Sequence, residues 1–286
     1  MRRPVHLPRT EVHTVTSAVT DEVFELWVGH PLEGWASAEC QPTELLFLLD
    51  ANLFFGMAVE MTRLMHTLFG ELPPILIAGI AYPDVDPTEQ SRLRTLHFTP
   101  SADPVFEEAA RSLAPPGTPV PESIPMGGAD DFLAFLRHQI EPMVRERFGL
   151  ASSRSTLFGT SLGGLFGAHV LRTAPAWVDR IIISSPSLWW REEEIFSRIA
   201  AADADSPGTG VTGPDVVVTV GSGEEGPAIP HLNRYKLITN ARRLADECAR
   251  GSVPCRSLHF ELIEGESHTS VVPSSLTRGL RRLLRP

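Results

Sequence analysis

The chain has little that would staple it, anchor it or load it with a cofactor. Its three cysteines, Cys40, Cys248 and Cys255, are odd in number, widely spread and without C-x-x-C spacing. That pattern suggests neither a disulfide framework nor a zinc site, and the thiols read as buried or incidental. No apolar run reaches the length of a membrane-spanning helix. The basic start, Met1-Arg2-Arg3-Pro4, is followed by no apolar stretch and does not read as a signal peptide, so the expectation is a cytoplasmic protein without a membrane partner. Positive charge is also in deficit. The 25 lysines and arginines against 35 acids give a formal charge of −10, which argues against nucleic acid as a partner and otherwise serves solubility. No metal or organic cofactor is implied, no internal repeat is visible, and nothing in the pattern sets an oligomeric state.

What is present is enough apolar sequence to build a substantial core. With 286 residues, 42% of them hydrophobic, the chain is expected to form a single domain over 1–286. Residues 10–29 are rich in β-formers and suit edge strands, and 31–42 reads as a linker. The nearly unbroken apolar run at 44–50 is what a strand covered on both faces requires. A helix is expected over 53–68 and a second buried strand over 75–80. Residues 84–130 are rich in proline and polar side chains without strong periodicity. They are expected to be a loop-rich excursion over the sheet that forms part of a substrate pocket. Residues 130–148 carry an amphipathic stripe closed by Gly149, a bounded helix. Further strands are expected at 178–184, 215–220 and 257–263, with helices at 233–249 and 274–284 and a surface loop over 200–214. This alternation predicts an α/β fold, a doubly wound and mostly parallel sheet with helices on both faces.

One turn organises the chemistry. Gly159-Thr160-Ser161-Leu162-Gly163 has G-x-S-x-G spacing, with a short apolar strand before it and a helical stretch after it. That is the context of a nucleophile elbow, in which small residues two before and two after the serine let strand and helix approach. In an open parallel sheet, reactive groups gather beyond the carboxyl ends of the strands. Ser161, Glu224 and His268 each follow a different strand there. A serine hydroxyl needs a neighbouring imidazole to take its proton, which His268 would do. The imidazole needs a carboxylate on its other nitrogen. Glu224 is the choice, with Glu225 and Glu266 as rivals, while Asp215 begins its strand at the wrong end. Two backbone amides should face the developing oxyanion: Leu162, after the nucleophile, and Asn52, in the loop after the first central strand. Trp189 and Trp190 are placed to stack on an aromatic acyl group.

The sequence around Ser161, together with Ser184-Ser185-Pro186-Ser187-Leu188-Trp189-Trp190, resembles the Putative esterase family of α/β hydrolases, which includes esterase D and feruloyl esterase-like proteins. Within it the likeness is to the enterobactin and salmochelin siderophore esterases. Phe47-Leu48-Leu49-Asp50-Ala51-Asn52, Gly79-Ile80-Ala81-Tyr82-Pro83, Gly127-Gly128-Ala129-Asp130-Asp131-Phe132 and Gly265-Glu266-Ser267-His268 extend it over most of the chain from about residue 15. The resemblance implies an α/β-hydrolase fold and a serine carboxylic-ester hydrolase acting through an acyl-enzyme on a small-molecule ester, a siderophore trilactone or another aryl-bearing ester. It makes Ser161 the nucleophile, His268 the base and Glu224 the acid, and it places Arg94 near bound substrate. Two positions depart from the family pattern: His97 stands where aspartate is common, and Ala51 where glycine is. An acyltransferase or cyclising enzyme with the same acyl-enzyme, or a binding protein that kept the fold alone, are the alternatives.

Overall fold

Successive side chains of a strand face opposite ways, so a strand buried on both faces must be apolar throughout. In β3 (Glu44–Leu48), Leu45 and Phe47 enter one hydrophobic core while Leu46 and Leu48 enter the other. The same alternation runs through β6 (Arg180–Ser184) and β7 (Asp215–Gly221): Ile181, Ile183, Val216 and Val218 face the first core, Ile182 and Val217 the second. The other strands are β1 (Thr10–Thr16), β2 (Val23–Gly29), β4 (Ile75–Ala81), β5 (Arg154–Thr160) and β8 (Ser257–Ile263). The computed structural model, which describes residues 5–34, 40–84, 86–112, 123–205 and 213–285, joins them into one eight-stranded sheet in the order β1-β2-β4-β3-β5-β6-β7-β8. Only β1 and β2 run antiparallel to their neighbours; from β4 to β8 every pairing is parallel.

Helices cover both faces, as parallel crossovers demand. Helix α1 (Ala51–Thr67) and the last helix, α9 (Val271–Leu284), pack together over the second core. Helix α6 (Leu162–Thr173) lies on the other face against β5 and β6. All its residues from Leu162 to Leu171 are buried, because it is itself covered by α2 (Pro87–Phe98), α4 (Ala129–Phe135) and α7 (Trp190–Asp205). A helix enclosed on all sides has no polar face, which is why 162–171 shows no amphipathic stripe. The helix expected over 130–148 is continuous but changes pitch: α4 passes through a π turn (Leu136–Ile140) into α5 (Glu141–Phe148), closed by left-handed Gly149.

The excursion at 84–130 is more regular than its composition suggests. It carries α2 and α3 (Pro104–Ser112), with 113–122 outside the described residues. Asp86 caps α2 by accepting from the amides of Thr88 and Glu89, and Pro87 takes the first helical position, where a missing N–H costs nothing. Likewise α7 continues through 200–205, where a loop was expected, and α8 (Leu237–Arg250) follows a 3-10 turn at Asn233–Tyr235. Residues 35–39 of the expected linker and 206–212 of the expected loop lie outside the described residues.

Candidate active site

The serine sits where the sheet ends and α6 begins. Ser161 has φ 57° and ψ −118°, a backbone conformation that side-chain-bearing residues adopt only when surrounding structure holds them. Here that hold is visible: Ser161 N–H donates to Ser184 O at 3.0 Å, and the Ser161 carbonyl accepts from Leu165 and Ser187, each at 3.0 Å. The flanking glycines follow from the tightness of the turn. A Cβ at Gly159 would stand 2.2 Å from the Gly163 carbonyl oxygen, and one at Gly164 would stand 2.9 Å from Ser184 O. No side chain fits at either position without moving backbone.

His268 lies in the loop between β8 and α9. Its Nδ1 is 2.6 Å from Glu224 Oε2. A carboxylate can only accept, so this contact places a proton on Nδ1, and in the neutral ring Nε2 then carries the lone pair. Glu224 is fully buried, in a 3-10 turn (Ser222–Glu224) directly after β7. Its second oxygen, Oε1, accepts from Ser185 Oγ and from the Gly221 amide, both at 2.6 Å. The buried carboxylate is therefore saturated with donors, which is what permits a charge there. The two rival acids are engaged elsewhere. Glu225 turns outward and accepts from Thr239 N and Oγ1 at the start of α8, and Glu266 accepts from Ser274 Oγ. Asp215, at the opposite end of β7, pairs with Arg256.

Ser161 and His268 open into one cavity of about 160 Å³, with Ser187 beside them and walls of Trp189, Leu232, Tyr235 and Leu237. The Ser161 hydroxyl lies 3.2 Å from Ser187 Oγ. Trp189 and Tyr235 pack ring against ring, with centroids 4.8 Å apart. Glu193 links the Trp189 segment to the 232–237 stretch and to α8, accepting from Lys236 Nζ at 2.7 Å and Arg243 Nη1 at 3.0 Å. Arg191, Glu192 and Glu193 all have left-handed backbones, and across this bend the Glu193 amide donates to the Trp189 carbonyl at 3.3 Å.

The walls differ from expectation in two respects. Trp190 does not line the cavity. It is buried in the core, its indole N–H donating to Ser101 O at 3.0 Å and its ring packed on Phe106. The two rings are nevertheless neighbours, with centroids 5.9 Å apart. Among its described residues, the 84–130 segment supplies none of the cavity's lining residues and backs the tryptophans through Phe106 and Ser101. The wall comes instead from 232–237, a stretch whose sequence has neither periodicity nor motif to signal it.

Leu162 and Asn52 belong to the first turns of α6 and α1, where N–H groups have no acceptor within the helix. The two helix starts are adjacent: a Cβ at Gly163 would stand 3.7 Å from Asp50 Oδ2. The Asn52 side chain locks this arrangement to the end of β4, donating to Tyr82 O at 2.9 Å and accepting from Tyr82 N at 2.8 Å. Asp50, left-handed at φ 54°, precedes them.

Arg94 is committed to this scaffold rather than to open space. Its Nε and Nη2 both lie 2.9 Å from the two oxygens of Asp50, which is only 1% exposed. Burial alone would lower the guanidinium's pKa, but the Asp50 carboxylate outweighs it and the net shift is upward. His97, the departure from aspartate, also has partners: Tyr82 OH at 3.2 Å and Glu22 Oε2 at 2.8 Å. Burial, and then the nearby Asp50 charge, hold the Tyr82 phenol protonated well above the usual tyrosine range. Removing one partner of a buried pair leaves an uncompensated charge, so Arg94→Met should destabilise the fold by about 3–5 kcal/mol. Denaturant midpoints measure it, and Asp50→Asn added to Arg94→Met should recover part of the loss.

Among the described residues, no group of three or more His, Cys, Asp or Glu side chains is placed to hold a metal ion. Among them, too, no helix is long and apolar enough to cross a membrane.

A mostly parallel sheet that presents a left-handed serine at a strand-to-helix turn is the framework of the α/β hydrolases. Known proteins narrow the class. The family described as Putative esterase matches residues 120–283, more than half of the chain, and the chain belongs to that family. It is 28% identical to the ferri-bacillibactin esterase BesA of Bacillus subtilis, over 98% of this chain and 91% of that protein. It is 30% identical to the siderophore triacetylfusarinine C esterase of Aspergillus fumigatus, over 97% of this chain and 94% of that one. Among solved structures it resembles the siderophore hydrolase EstB from Aspergillus nidulans, with TM-score 0.79 at 25% identity, covering 99% of this chain and 98% of the other. The chain is a serine esterase of the α/β-hydrolase fold.

Proposed function

We propose that this esterase is a single-domain, cytoplasmic enzyme that hydrolyses siderophore esters through a Ser161-His268-Glu224 triad. The observation that carries the assignment of roles is the 2.6 Å contact between His268 Nδ1 and Glu224, with His268 and Ser161 opening into one cavity. In this mechanism the hydroxyl turns from Ser187 toward His268 Nε2, which takes its proton as Oγ attacks the ester carbonyl. Glu224 stabilises the imidazolium that forms. The amides of Leu162 and Asn52 donate to the oxyanion, and the proton on Nε2 passes to the departing alkoxide. Water, activated by the same nitrogen, then releases the acyl group and restores Ser161.

The chemistry of the cavity supports an uncharged acyl group. Among the described residues its walls are Trp189, Leu232, Tyr235 and Leu237, with no lysine or arginine, and the Arg94 charge is matched by Asp50. Siderophore esters as substrates are supported by the relatives' activities. Incubation with bacillibactin, enterobactin and triacetylfusarinine C, iron-free and ferric, tests the reading by mass spectrometry. Stepwise gain of one water per ester opened is expected for at least one of them. Turnover of p-nitrophenyl butyrate with every siderophore left intact would contradict the substrate class and leave the esterase standing.

A further inference from the structure

Two of the three cysteines meet, although seven positions separate them in sequence. Cys248 lies in the last turn of α8 and is buried; Cys255 lies in the following turn, two residues before β8, and is half-buried. The turn between them is well defined. Gly251, left-handed at φ 82°, ends the helix with its N–H on the Cys248 carbonyl at 3.1 Å, and Arg256 N donates to Pro214 O at 2.9 Å. The approach of 213 to this turn is so close that a Cβ at Gly213 would stand 1.9 Å from Pro254 O. This folding back puts Cys255 Sγ 3.7 Å from the Cys248 carbonyl oxygen, and both side chains pack into one hydrophobic core.

The pair is chemically unequal. The hydrogen bond from Cys248 favours the Cys255 thiolate and brings that thiol down to about 7, against the opposing effect of burial. The same bond, with burial, pushes the Cys248 thiol up. A half-buried sulfur within reach of a disulfide in solution, beside a buried one, has the division of labour of an attacking and a resolving cysteine. Cys40 stands apart, its thiol directed to Glu33.

We propose that Cys255 and Cys248 form a redox-active dithiol that takes low-molecular-weight disulfides such as glutathione disulfide. The Cys255 thiolate attacks one sulfur of the disulfide, forming a Cys255–glutathione bond and releasing glutathione thiolate. Cys248, giving up its proton, then attacks Cys255 Sγ, closing the Cys248–Cys255 bond and expelling the second glutathione. In sum, two cysteine thiols are oxidised and one glutathione disulfide is reduced to two glutathione thiols. The pair sits at the amino end of β8, whereas Ser161 and His268 lie at the carboxyl ends of the strands, so basal ester hydrolysis does not depend on it.

The test uses the folded full chain and glutathione disulfide at neutral pH, followed by intact mass and peptide mapping. The wild type is expected to lose the mass of two hydrogens and to yield a Cys248–Cys255 linked peptide that dithiothreitol reverses. Cys248→Ser should instead retain one glutathione on Cys255, and Cys255→Ser should leave Cys248 unmodified. Both variants should hydrolyse p-nitrophenyl butyrate at the wild-type rate. Free Cys248 and Cys255 thiols in the treated wild type, a stable glutathione adduct on wild-type Cys255, or a bridge involving Cys40 would each overturn the proposal.

Discussion

Replacing Ser161 with alanine is expected to lower kcat for p-nitrophenyl butyrate by about 10⁴-fold or more, with the folded structure intact. The size of the effect follows from the acyl-enzyme: without Oγ no covalent intermediate forms, and only binding and the oxyanion amides remain. The fold should survive because alanine keeps the Cβ in the same left-handed backbone and gives up only a 3.2 Å hydroxyl contact with Ser187. His268→Ala should cost about as much, and the Ser161→Ala, His268→Ala double variant should be no worse than either single one, since the two groups act as a unit. Steady-state kinetics with circular dichroism on each variant measures both parts. Equal activity in Ser161→Ala would remove the serine from the mechanism.

Glu224→Gln is the second large effect, about 10³–10⁴-fold in kcat with KM little changed. The reason is the direction of the hydrogen bonds. Oε1 accepts from Ser185 Oγ and Gly221 N, so the glutamine carbonyl must take that side. Its NH₂ then faces His268 Nδ1 and donates to it. The ring is forced into the tautomer with the proton on Nε2, the nitrogen that must accept one from Ser161. Glu225→Gln and Glu266→Gln should each change kcat less than about twofold, because those carboxylates cap α8 and bind Ser274. A loss in Glu225→Gln matching that in Glu224→Gln would reassign the acid.

The sheet and the elbow were the most legible parts of this sequence, and the reasons are local. A strand covered on both faces has to be apolar at every position, which 44–50 and 215–220 announce. Gly159 is enforced by the Gly163 carbonyl only four residues on, so that part of the elbow is written in a short stretch, whereas Gly164 is enforced by Ser184 and Pro186 from the end of β6. The acid was not so marked. Glu224 and Glu225 are neighbours of identical chemistry, and only the 3-10 turn after β7, closed by Ser185 from another strand, sends the first inward and the second outward. Trp189 and Trp190 divide in the same way.

The 84–130 segment is a different kind of miss. Helix α2 lacks an apolar stripe because only its C-terminal end, rather than one long face, is buried: Thr95, His97 and Phe98 lie inside while its first turn is open. The Asp86-Pro87-Thr88-Glu89 start was nevertheless a readable capping signal. The cavity wall at 232–237 had no such signal, since Leu232, Tyr235 and Leu237 gain their meaning only when β7 and α8 place them opposite Trp189. Arg94 was placed near substrate by the family resemblance, whereas its partner Asp50 is 44 residues away and appears only in the fold.

The central claim is that Ser161 is a nucleophile made reactive by His268 and, through it, by Glu224. Labelling with a fluorophosphonate probe tests it most directly, because phosphonylation needs the activated hydroxyl and no knowledge of the substrate. The account predicts one adduct per chain, mapped to the peptide containing Ser161, formed far more slowly in His268→Ala and Glu224→Gln. An adduct on another residue, no adduct in folded wild type, or undiminished labelling of Ser161 in His268→Ala would contradict it.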